Sequence, residues 1–171
     1  MIRLYRTEDG ELRPCEKEAI QHALWIDAVA PTPDEVDALH KQFDIDLQDV
    51  ADCLDPNQRA RVEIEEGYDL LVLRTLLEGE RTGEKVGERI QTMPIGIFAT
   101  KKKIVTVRLV SSFSDVELTA DLRRKPHIAT REDLFLALVR KVNRDMDRSV
   151  RPMERVIASI QETLLAAGRA E

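Results

Sequence analysis

Four aspartates, Asp46, Asp49, Asp52 and Asp55, recur at every third position, and here side-chain type and spacing together point to chemistry. Residues three apart on a helix share a face, so Asp49 and Asp52 together offer hard carboxylate oxygens to one divalent cation. At about 3.6 residues per turn the series drifts around the helix, so all four cannot converge on one ion. The competing reading is structural: Asp46 caps a helix, Asp49 completes its capping box, and the others form a solvated acidic face. The stretch Asp44-Ile45-Asp46-Leu47-Gln48-Asp49 opens like a calcium-binding loop, but its sixth position is Asp49 where the sharp turn demands glycine.

The basic counterpart is Lys101-Lys102-Lys103, a contact for phosphate or an acidic neighbour, or simply a solubility guard on a turn. Arg140, Lys141, Arg144, Arg148, Arg151 and Arg155 form a second basic row, interspersed with Asp145, Asp147 and Glu154. Such mixing predicts a solvated, salt-bridged helix face rather than a nucleic-acid surface. His22, His40 and His127 stand apart from one another. His40 and Cys53 form a conceivable zinc pair, although a helix-capping imidazole and a packed thiol account for them without a metal. Glycine-rich phosphate loops, nucleophile elbows and the HExxH pattern are missing, so the residues predict no enzyme.

The elements that must position these groups belong to one ordinary domain. The chain has 171 residues and a net charge of −6, which argues against nucleic acid as the main partner. No apolar run approaches the roughly 18 residues of a membrane span, and Cys15 and Cys53 read as reduced thiols. Asp9-Gly10 predicts a hairpin between residues 3–7 and 11–15. Residues 23–29 read as an inner strand. Thr32, Pro33 and Glu35 predict a capped helix over 33–43, and Asp46 opens another, with Leu47, Val50 and Leu54 as its apolar stripe. Residues 61–65 alternate as a half-buried strand with Val62 and Ile64 inward, and 68–77 continue as a buried one. Residues 78–88 read as a loop, and 92–100 with 104–110 as a hairpin whose tip is the lysine cluster. A short helix follows over 114–123. From Thr130 onward, Leu134, Leu138, Val142, Met146, Val150, Met153, Ile157, Ile160 and Leu164 form a near-heptad seam, predicting a long helix packed on another helix and bent at Pro152. It runs out without a cap, as expected of a domain whose continuation is missing.

The order of these blocks resembles the CorA-type divalent-cation transporters. Trp25-Ile26-Asp27 followed by Pro31-Thr32-Pro33-Asp34-Glu35-Val36 is similar to that family's opening. Phe43-Asp44-Ile45, then Asp52-Cys53-Leu54-Asp55 through Gln58-Arg59-Ala60-Arg61-Val62-Glu63, resembles its acidic signature, with Ala51 for the usual Glu and Ala60 for the usual Pro. Residues 68–77, Pro94-Ile95-Gly96-Ile97-Phe98 and Ile104-Val105-Thr106-Val107-Arg108 match the strands that follow. The resemblance runs from about residue 23 to 150, with weaker support afterwards. It implies an α/β fold: an α/β/α sandwich with a mixed, largely antiparallel sheet over residues 1–129, then a long helical segment over 130–171 that begins a stalk. It further implies a soluble cytoplasmic domain of a homopentameric inner-membrane transporter, attached to the membrane only through a further region, and neither an enzyme nor a nucleic-acid binder. Asp52, with Asp49 one turn earlier, is the expected regulatory site for Mg2+, with Co2+ in its place as the variant. The zinc-transporting branch of the fold and a metal-free oligomerisation scaffold are the alternatives.

Overall fold

The computed structural model describes residues 1–76, 92–110 and 128–167. The loop expected over 78–88 and the short helix expected over 114–123 lie outside them. Asp9 and Gly10 both take positive φ (52° and 79°), which a tight two-residue hairpin requires, and β1 (Ile2–Glu8) returns as β2 (Glu11–Cys15). A 3-10 helix over Lys17–His22 leads to β3 (Trp25–Val29). Then α1 (Pro33–Phe43) opens on the expected capping box: Thr32 Oγ1 accepts from Glu35 N–H, and Glu35 accepts from Thr32 N–H at 2.9 Å. The N-terminal ammonium also lies 2.9 Å from Glu35. Burial alone would raise the Glu35 pKa, but the Thr32 hydrogen bond and the ammonium outweigh it and hold it below its ordinary value.

The chain continues through α2 (Leu47–Leu54), β4 (Arg61–Ile64), β5 (Tyr68–Leu76), β6 (Thr92–Thr100), β7 (Ile104–Arg108) and α3 (Arg131–Ala167). The strands form one sheet in the order β2-β1-β3-β7-β6-β5-β4. Every pairing is antiparallel except β3 with β7, so the sheet is mixed and largely antiparallel as expected. One face packs Ile26, Ala28, Leu70, Val72, Phe98, Val105 and Val107 under Leu39, Ile45, Val50 and Cys53 from the α1–α2 layer. The other packs Trp25, Ile95, Ile97 and Ile104 under Leu134, Leu138 and Val142 of α3. This is the α/β/α sandwich.

Three expectations need correction. In β4 the phase is inverted: Val62 and Ile64 are 68% and 82% exposed, while Arg61 and Glu63 are the half-buried pair. A strand's register fixes which set faces inward, and here the polar set faces α2. On α2 the buried residues are Val50 and Cys53, whereas Leu47 is exposed. Among the described residues the first half of α3 packs on the sheet, not on a helix. Further along, Val150, Ile157, Ile160 and Leu164 are exposed.

The helix layer comes close to the sheet at Gly96. A Cβ there would lie 3.0 Å from Cys53 Cβ and far inside the contact distance of its sulfur. Gly96→Ala should therefore destabilise the fold by about 2 kcal/mol in urea unfolding, through overpacking rather than lost burial.

Candidate functional site

Each of the four spaced aspartates occupies a different position in the structure. Asp46 caps α2 by accepting from Gln48 N–H at 2.6 Å. Asp55 lies past the other end and accepts from Asn57 N–H at 2.9 Å. Asp49 does not complete a capping box with Asp46. Its Oδ2 accepts from the Tyr68 hydroxyl at 2.5 Å, and its Oδ1 lies 3.5 Å from Arg61 Nη2. Asp52 Oδ1 accepts from Gln48 Nε2 at 2.8 Å, and its Oδ2 accepts from the same Arg61 nitrogen at 3.0 Å.

The structure therefore brings Asp49 and Asp52 together, as their spacing implied, and places a guanidinium between their facing oxygens. Glu63 joins the cluster, its Oε1 3.0 Å from Arg61 Nε. That contact is poorly aligned, and the buried Nε finds no hydrogen-bond acceptor. Burial alone would lower the Arg61 pKa, but Glu63 and then Asp52 outweigh it and hold the guanidinium above its ordinary range, so it stays charged. Three carboxylates surround one cation, leaving the cluster acidic.

Sequence reasoning missed Arg61 and Tyr68. Their signal was the alternation in 61–64, which fits either phase, and the aromatic opening β5. Tyr68 is buried; its hydroxyl accepts from Asp46 N–H at 3.2 Å while donating to Asp49, so it ties both aspartates to the sheet. Burial, then the hydrogen bond to Asp49, push its pKa up. Arg74 anchors the loop after α2, donating to the carbonyls of Pro56 at 2.9 Å and Gln58 at 2.7 Å.

The other candidates are committed elsewhere. His40 Nδ1 lies 2.8 Å from the Ile45 carbonyl, and burial pushes the Cys53 thiol up to about 12. Lys101 and Lys102 are exposed, but Lys103 caps the 3-10 helix, donating to the carbonyls of Ile20, Gln21 and Ala23 at 2.6–2.9 Å. Lys141 is not solvated either: it pairs with Asp145 at 2.9 Å, both nearly inaccessible. Among the described residues no three His, Cys, Asp or Glu are grouped to hold a metal ion. Asp49 and Asp52 still present hard oxygens, with side chains 16% and 27% exposed. That donor chemistry fits a dication that keeps most of its waters and takes only one or two carboxylates from a chain.

A layered domain of this architecture with an acidic face beside its edge strand has close structural counterparts. The soluble domain of CorA from Methanocaldococcus jannaschii matches with a TM-score of 0.70 at 21% identity, covering 97% of this chain and 65% of that one. The complete CorA magnesium transporter from the same organism matches at 0.71 and 17% identity, covering 97% and 51%. The ZntB cytoplasmic domain from Vibrio parahaemolyticus matches at 0.66 and 12% identity, covering 92% and 63%. These identities bear on the fold, and the chain spans about half to two-thirds of the relatives' length. The model of the CorA-like Mg2+ transporter family matches residues 21–171, and the chain belongs to that family. No curated protein matches it by sequence. No described helix is long and apolar enough to cross a membrane.

Tyr68→Phe should cost about 1–3 kcal/mol near neutral pH, because Asp49 and the Asp46 N–H lose their shared partner. With the folded pKa raised, the hydroxyl's contribution is full below the unfolded value of about 10 and is lost as pH rises above it. The stability gap to Tyr68→Phe, measured by urea unfolding, should therefore narrow above about pH 10.

Proposed function

We propose that this chain is the cytoplasmic regulatory and assembly domain of a divalent-cation transporter. In this reading Asp52 and Asp49 face a neighbouring copy in a homopentamer, and Mg2+, or Co2+ in its place, is the ion sensed at that seam. The pore is formed by segments other than the described helices. What supports this most is the cluster of Asp49, Asp52 and Glu63 around a single guanidinium, in a member of a transporter family. Carboxylates meeting across a seam repel by about 1 kcal/mol per pair at 4 Å in water, and by about 4 at an effective dielectric of 20. A dication relieves that repulsion. As its concentration falls, the population moves toward separated copies, through differential binding alone.

The likeness to a ZntB domain raises zinc as the ion. At this site the donors favour Mg2+: all are oxygens, while the imidazole of His40 and the thiol of Cys53 are engaged elsewhere.

Melting temperature and particle size should both rise with added Mg2+ against an ionic-strength-matched potassium control. At a hundred times Kd the gain for a bound ion is about 2.7 kcal/mol. Asp52→Asn should abolish both responses. Identical assembly with and without the dication, unchanged in Asp52→Asn, would establish the metal-free scaffold instead.

A further inference from the structure

We infer that Arg61 is a built-in competitor for the dication, holding Asp49 and Asp52 when the ion is away and having to leave them when it binds. The inference rests on the reading of α2 just given. Its geometric basis is which oxygens are taken by what. Tyr68 and Gln48 occupy one oxygen of each aspartate, and the remaining two, Asp49 Oδ1 and Asp52 Oδ2, both turn toward Arg61 Nη2. The guanidinium therefore sits where an ion shared by both aspartates would have to sit.

Arg61 is held unevenly. Its Nη2 makes one good charge-assisted hydrogen bond to Asp52 at 3.0 Å and a stretched one to Asp49 at 3.5 Å, while its Nε lies 3.0 Å from Glu63 in poor alignment. Its side chain is 21% exposed, so a route to solvent is open. Arg108, by contrast, is 1% exposed and has no such route.

The inverted phase of β4 goes with this placement. The strand exposes Val62 and Ile64 at the sheet edge in order to aim Arg61 and Glu63 at α2. β4 is four residues long and, among the described residues, pairs with β5 alone, and Arg61 ties this edge to the helix. Releasing Arg61 loosens β4, which makes the edge strand the first element to register the ion. The competition also weakens apparent affinity, by the ratio of the clamped to the open population. A tenfold ratio moves the midpoint about tenfold upward, toward the concentrations of an abundant ion.

The test is Mg2+ titration of melting temperature in wild type, Arg61→Gln and Asp52→Asn, with hydrogen exchange followed at residues 61–64. Arg61→Gln should lower the melting temperature without Mg2+ and shift the midpoint to about one-tenth of the wild-type concentration. In wild type, exchange in β4 should quicken as Mg2+ is added; in Arg61→Gln it should be fast throughout. Arg61→Lys keeps the charge but loses the planar fork, and should give an intermediate midpoint even if Arg61→Gln folds poorly. A midpoint unchanged or raised in both Arg61 variants, with the response still lost in Asp52→Asn, would overturn the competitor role and leave the sensing reading standing. No Mg2+ response in wild type or either Arg61 variant would overturn both.

Discussion

The parallel pairing of β3 with β7 is the join on which the sandwich depends. It brings together segments about 80 residues apart, and it places the N-terminal hairpin on one side and the β6-β5-β4 meander on the other. A buried polar chain fixes its register. Trp25 Nε1 donates to Thr106 Oγ1 at 2.9 Å, Thr106 donates to Asp27 Oδ1 at 2.7 Å, and Arg108 donates to Asp27 Oδ2 at 2.8 Å. A slip of one residue in either strand would turn Asp27 or Arg108 into the apolar layer beneath α1 and α2, away from its partner. Burying an ion pair adds little net stability, but leaving one member unpaired is expensive, so the chain tolerates only this alignment.

From that join the position of α2 follows. With β7 and β6 fixed, Val50 and Cys53 drop into the layer over Phe98, Val105 and Val107, and Gly96 lets the helix come close. Tyr68, opening β5, reaches α2 from beneath, packs edge-on against Phe98 with ring centroids 5.4 Å apart, and turns its hydroxyl to Asp49. Arg74, on the same strand, holds the carbonyls that follow the helix. The acidic face is thus positioned by strands that belong to the core, rather than by a loop of its own.

The fold was legible where one local signal admitted one structure. Asp9-Gly10 needed two positive-φ residues and took them, and Thr32 with Glu35 formed the capping box. The α2 aspartates were legible as a pair because spacing alone sets who shares a helix face. What escaped was decided by contacts distant in sequence. Alternation in 61–64 fits either strand phase, and only the proximity of α2 draws Arg61 inward. Lys103 looked like the tip of a basic turn, yet carbonyls at the end of the 3-10 helix, some 80 residues earlier, capture its ammonium. Lys141 and Asp145 belonged to a row read as solvated, but both are nearly inaccessible. In each case the charge kept its partner, and tertiary packing decided its exposure.

The contrast among these ion pairs bears on what a responsive site requires. Asp27–Arg108 and Lys141–Asp145 are short, inaccessible and locked into the core, and such pairs leave no place for an ion from solution. On the proposed reading the α2 cluster exchanges cations, and exchange needs a poorer internal bond. Moving a two-state equilibrium from 1:99 to 99:1 takes about 5.5 kcal/mol of differential binding, and every well-made bond on the displaced arginine adds to that requirement. A guanidinium with one good bond, one long one and a poorly aligned contact to Glu63 would keep that requirement small, while its charge offsets the repulsion between Asp49 and Asp52. The same imperfection would be a defect in the core; at the rim of the sheet, beside a four-residue strand, it is what the proposed exchange requires.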